Sequence, residues 1–111
     1  AGVINPDGYL RLMHAHTNDL VDGAEIAANS TIENVGEVQG QALGLLVSCV
    51  GRKLVMGGRV DEEVEAVQDI LGENAVLCGF YSNGEICPGY QLEACSLHNQ
   101  TMTITYLAES A

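Results

Sequence analysis

Two apolar runs that break at glycine into charged turns, with a helical pattern between them, constrain this chain more than any other feature. The first, residues 42–50, carries Leu43, Leu45, Leu46, Val47 and Val50 and leads into Cys49-Val50-Gly51-Arg52-Lys53. The second, residues 75–81, leads into Gly79-Phe80-Tyr81-Ser82-Asn83-Gly84-Glu85-Ile86. Runs this continuously apolar read as strands buried on both faces. Between them Asp61 stands as an N-cap, Glu62 and Glu63 favour the positive helix end, and Val64, Val67, Ile70 and Leu71 form one apolar face that Gly72 stops. Strand–helix–strand in this pattern makes a right-handed crossover between parallel strands. Arg52 and Glu85 then emerge from the same sheet edge, where ligands bind in open α/β folds.

That juxtaposition defines a candidate site. Arg52 offers a planar fork suited to a carboxylate, and the glycine beside it lets backbone approach a ligand closely. Glu85 offers a partner for an ammonium group. The pair fits an amphoteric small molecule such as an amino acid, with Tyr81, Ser82, Asn83 and Cys49 lining the site and Tyr90 as a further wall. The alternative is that each charge closes an internal salt bridge, with the other or with one of the many acids.

The remaining chain fills out a mixed sheet with helices packed on it, an α/β (or α+β) domain. Residues 9–13 alternate enough for a short strand after the Pro6-Asp7-Gly8 turn. Asn18 or Asp19 caps an alanine-rich helix, and Ser30-Thr31-Ile32-Glu33 has the capping-box spacing of a second, ending near Val38. Residues 52–58 read as a glycine-bounded connector. Asn83-Gly84 is the preferred dipeptide of a tight hairpin, which predicts a strand returning from Glu85. Residues 92–97 extend the sheet, and a last strand places Met102, Ile104 and Tyr106 on one face and Thr101, Thr103 and Thr105 on the other.

Charge removes whole classes of function. A net charge of −11, with the four basic residues scattered at Arg11, Arg52, Lys53 and Arg59, leaves no basic stripe for nucleic acid or an anionic membrane surface. No apolar run reaches transmembrane length, and no signal peptide is visible. At 111 residues the chain is one domain. It opens without methionine, inside the loop Asn5-Pro6-Asp7-Gly8, which reads as a piece of a longer protein. No cofactor is expected.

Cys49, Cys78, Cys87 and Cys95 contain no C-x-x-C pair and read as reduced thiols, Cys49 and Cys78 buried, with Cys87–Cys95 the credible disulfide. His14-Ala15-His16 has metal-compatible spacing but lacks a third ligand, so a solvated or hydrogen-bonded pair is expected. A thiol-dependent enzyme using Cys49 and His98 is the catalytic alternative; it needs a base within reach and an oxyanion hole.

Taken together, Ser48-Cys49-Val50-Gly51-Arg52, the helix from Glu63 to Leu71, Gly79-Phe80-Tyr81-Ser82-Asn83-Gly84-Glu85-Ile86-Cys87-Pro88 and Leu97-His98-Asn99-Gln100-Thr101-Met102-Thr103 resemble the C-terminal module of FIST proteins (F-box and intracellular signal transduction). The resemblance covers nearly the whole chain, including the entry Asn5-Pro6-Asp7-Gly8. Val50 and Cys87 depart from the residues usual at those positions. The resemblance implies a non-enzymatic, cytoplasmic sensory domain, bacterial in many family members, that follows a FIST N-terminal domain in the same chain. It implies a small-molecule ligand, with amino acids proposed for the family, and a signalling output protein such as a histidine kinase. A homodimer, or a docking module that packs on the N-terminal domain, is a further expectation.

Overall fold

The computed structural model describes residues 4–35, 38–88 and 94–109. Helix α1 (Thr17–Val35) leads to strand β1 (Ala42–Cys49), helix α2 (Val50–Met56), a 3-10 turn (Gly57–Arg59), helix α3 (Val60–Leu71) and strand β2 (Ala75–Ser82). Strands β3 (Glu85–Cys87), β4 (Ser96–His98) and β5 (Met102–Ala108) follow. One sheet has the order β2-β1-β5; a second, small sheet pairs β3 with β4. β1 and β2 run parallel with Ala42 opposite Ala75 and Cys49 opposite Ser82, while β5 returns antiparallel along the other side of β1. The mixed α/β class and the β1–α3–β2 crossover are those the sequence predicts.

Alternation along β1 sorts its side chains. Ala42, Gly44, Leu46 and Ser48 are buried and face the helices. Ala42 and Leu46, with Ala24 and Ala28 of α1, Val67 and Leu71 of α3, Ala75 and Met102, form the core. Alanines let α1 approach the sheet and α3 closely, so the core is thin and depends on few large side chains. Gly44 sits where a Cβ would meet Leu77 at 2.6 Å and Leu71 at 3.3 Å. Gly72, at φ 82°, ends α3 by donating its N–H to the Gln68 carbonyl.

Five local expectations fail. Residues 17–35 are one helix, not two, because Thr31 bonds back to the Ala27 carbonyl and Asn34 to that of Ser30, satisfying these polar side chains inside a continuous helix. The expected end near Val38 passes through residues 36–37, which lie outside the described residues. The connector at 52–58 is mostly helix α2, whose lysine, leucine and methionine favour helix until Gly57, at φ 59°, closes it. Neither Asn83 nor Gly84 has the positive φ a tight hairpin needs, so β3 pairs with β4 rather than with β2. Of the segment 92–97, residues 92–93 lie outside the described residues and the rest enters β4, in the second sheet. Residues 9–13 form no strand: Tyr9 and Leu12 stand 107% and 90% exposed, because among the described residues no neighbouring strand pairs with them.

Away from Glu85, the opposite sheet face is uncovered among the described residues. Leu43, Val76, Phe80 and Leu107 are exposed there, together with Cys78. Cys78, expected inside, is outside because it alternates onto this face. The chain exposes 7866 Å², against about 5,900 Å² for a folded monomer of its mass. Its shortest dimension is 19 Å, two layers rather than three. Among the described residues no helix is long and apolar enough to cross a membrane.

Candidate functional site

The carboxyl ends of β1 and β2 gather two buried acids on opposite sides of the sheet. On the helix side, Glu63 is fully buried. Its Oε2 accepts from Arg52 Nε at 3.0 Å and Nη2 at 2.9 Å, and its Oε1 accepts from the Ser48 and Tyr81 hydroxyls, each at 3.1 Å. Ser48 and Tyr81 are register partners, so the pleat aims both at the same point. Arg52 gives two further N–H donors to carbonyls, Leu20 at 2.7 Å and Gln100 at 3.5 Å. Gln100 has φ 61°, the one described non-glycine residue with positive φ, and this conformation accompanies its carbonyl's place beside Arg52. The Gln100 side chain occupies the space above Gly51, where a Cβ would lie 2.1 Å from its amide nitrogen. The glycine thus admits Gln100.

On the other side Glu85, 3% exposed, accepts from the hydroxyls of Ser82 and of Thr101, the latter at 2.7 Å. Ser82 is the register partner of Cys49, one residue out of phase with the Ser48–Tyr81 pair. That single step puts Glu85 across the sheet from Arg52. Arg52 and Glu85 do share an edge, as predicted, but Arg52 pairs with Glu63 and not with Glu85. Among the described residues every buried side-chain nitrogen and oxygen has a partner.

Of the other expected lining residues, Tyr81 and Ser82 belong to these two centres and Cys49 is buried at the end of β1. Asn83 is exposed, and Tyr90 lies outside the described residues. Sequence reasoning missed Glu63, Ser48 and Thr101. Glu63 had a signal: it shares the i, i+4, i+8 stripe with buried Val67 and Leu71, where an acid needs a partner.

A pocket of about 320 Å³ opens beside the Glu63 centre, between α3 and edge strand β2. Leu46, Val64, Leu77 and Met102 give it apolar walls, and Ser48, Glu63 and Tyr81 its polar end. Each Glu63 oxygen already accepts two hydrogen bonds, so the lone pairs left for a ligand are those of the two hydroxyls. Lys53 Nζ lies 5.1 Å from the Tyr81 ring centroid. Burial, then Glu63, pushes the Tyr81 phenol above its ordinary pKa.

The His98 ring bonds to Ser96 at 3.0 Å rather than to Cys49. All four cysteines are free thiols, Cys87 and Cys95 included. Burial, followed by Cys95 and Glu85, raises the Cys87 pKa. His14 and His16 meet edge to face with ring centroids 4.7 Å apart, and among the described residues no three His, Cys, Asp or Glu side chains gather as a metal site.

Neither the curated proteins nor the solved structures include a match to this chain. The model of the FIST C domain family matches residues 1–88, which takes in α1, both parallel strands, the crossover and both buried acids. The chain therefore belongs to the FIST C domain family, a module of signal transduction proteins.

Proposed function

We propose that this domain is a non-enzymatic, cytoplasmic sensory module that binds a small molecule in the pocket beside Glu63 and relays its occupancy to partner domains. The observation that carries this reading is the pocket's make-up: apolar walls ending in two hydroxyl oxygens held by a saturated carboxylate. Such an end accepts hydrogen bonds and repels a carboxylate. The ligand class it fits is a small molecule with an apolar body and a donating head, an amine or alcohol. The amino-acid expectation rested on Arg52 and Glu85 acting together, and their charges are engaged on opposite sides of the sheet. A catalytic reading through Cys49 and His98 finds no support in the His98 contacts.

Relay requires the ligand to bind one conformation better than another. Helix α3 is placed for this, since Glu63 and Val64 touch the pocket while Val67 and Leu71 of the same helix lie in the core with α1. The recipients proposed are the FIST N-terminal domain of the same polypeptide and a signalling output protein such as a histidine kinase. The test is a calorimetric panel of small amines, alcohols and amino acids. Val64→Trp, at a position 41% exposed, should fill the pocket and abolish binding without unfolding the domain. Binding that survives Val64→Trp, or a panel without a hit, would remove this pocket from the model.

A second reading, a docking module, is favoured by the bare sheet face of Leu43, Val76, Phe80 and Leu107. A parallel pair of strands is normally covered on both faces. Under this reading the N-terminal domain covers it, and Val76→Asp, on that face and outside the pocket's lining, weakens that association while leaving the pocket's ligand binding intact.

A further inference from the structure

Ser48, Glu63 and Tyr81, the polar end of the pocket, have no proton left to give a ligand. Ser48 and Tyr81 each donate their one hydroxyl hydrogen to Glu63 Oε1, and Glu63 Oε2 accepts two N–H groups of Arg52. Lone pairs remain on the two hydroxyl oxygens alone. Ser48 is 4% exposed while Tyr81 is half-buried, so Tyr81 is the more accessible acceptor. A head group that also accepts, such as an alcohol or an amide, sets its own oxygen lone pairs against those of the hydroxyls and leaves them unpaired. The matched head donates and does not accept.

Charge narrows the head further. An ammonium taken from water into this end needs a counter-charge, and the Glu63 carboxylate is already neutralised by Arg52 at 2.9 Å. Lys53 Nζ, 5.1 Å from the centroid of the Tyr81 ring, adds a positive charge beside the same acceptor. A second cation there is repelled, and a carboxylate brings no proton for the hydroxyl oxygens. The matched head is therefore neutral.

The walls set the body. Leu46, Val64, Leu77 and Met102 are apolar, and a methionine thioether makes favourable contacts with aromatic rings. A cavity of roughly 150 Å³ holds benzene, so the pocket's 320 Å³ is of bicyclic size. A pyrrole-type ring nitrogen meets the demands of head and body together. Its lone pair is delocalised into the ring, so its N–H is neutral and a donor only.

We infer that the pocket takes an indole-type ligand, a neutral bicyclic aromatic whose ring N–H donates to the Tyr81 hydroxyl oxygen. This rests on the pocket reading above and narrows its donating head to a ring N–H. Donation to the Tyr81 oxygen polarises that tyrosine's own O–H toward Glu63. Occupancy then tightens the bonds on Glu63, and with them the hold of α3 on the sheet.

Calorimetry of the full chain with indole, benzofuran (the same rings with oxygen in place of the N–H), tryptamine and indoleacetate tests it. Indole should bind about tenfold more tightly than each of the others. Tyr81→Phe, with wild-type dichroism, should bring indole down to the benzofuran value and leave benzofuran unchanged, and Val64→Trp should abolish the binding of both. Benzofuran or tryptamine binding as tightly as indole would overturn the inference and leave the pocket reading standing, as would an indole preference that survives Tyr81→Phe. An aliphatic amine or alcohol that binds in a Val64→Trp-sensitive way while indole does not would have the same effect. Indole binding that persists in Val64→Trp, or no binding by any compound, would overturn the inference and the pocket reading together.

Discussion

Glu63 and Glu85 are both buried acids at the same end of the same two strands, yet they are held in different ways. Glu63 is compensated: a guanidinium and two hydroxyls saturate it, and Arg52 is tied in turn to α1 and to the loop before β5. Glu85 is held by the hydroxyls of Ser82 and Thr101 and ties β2 to that same loop. The first centre staples the helical layer to the sheet through a charge pair. The second closes the sheet's other side through neutral donors. A buried ion pair gives little net stability but is costly to break on one side only, whereas a hydroxyl-held acid should tolerate loss of its charge.

The largest effect that comparison predicts is for Arg52→Ala, which strands Glu63 in the core and should cost about 3–5 kcal/mol in urea unfolding. Glu85→Gln keeps its shape and most of its acceptor capacity and should cost no more than about 1.5 kcal/mol. Equal losses would erase the distinction between the two centres. Tyr81→Phe removes one donor from Glu63 and should cost about 1 kcal/mol, provided the Ser48 and Arg52 bonds persist.

The same tyrosine gives the comparison a pH signature. Its folded pKa is raised, so the folded state holds the proton more tightly than the unfolded chain. That contribution is fully present below the unfolded tyrosine value and is lost as pH rises through the folded one. Wild-type stability should therefore fall more steeply above about pH 10 than that of Tyr81→Phe, and parallel curves would contradict the burial assigned to Tyr81. The smallest effect is at the margin of the Glu63 centre: Gln100→Gly relieves the left-handed backbone and should stabilise by up to about 1 kcal/mol, less whatever packing over Gly51 is lost.

Much of this architecture was legible in the residues. The apolar runs at 42–50 and 75–81, the amphipathic helix between them and the alternating last strand are strong periodic signals, and the crossover follows from their order. The shared edge of Arg52 and Glu85 was legible for the same reason. Their separation was not, because it depends on whether Ser48–Tyr81 or Cys49–Ser82 faces the helices, a one-residue phase that both apolar runs leave open. Glu63 was read as a helix-dipole residue when its place beside Val67 and Leu71 marked it as buried.

The sequence by itself determined the class of fold, the crossover and the family, since each rests on local periodicity or on motifs in register. Tertiary structure alone decided what the charges do. A guanidinium beside a glycine has no assigned partner until α3 is laid on the sheet, and residues 9–13 have no strand until another strand lies beside them. Charge pairing and strand pairing are both long-range, and each needs a neighbour that local sequence does not name.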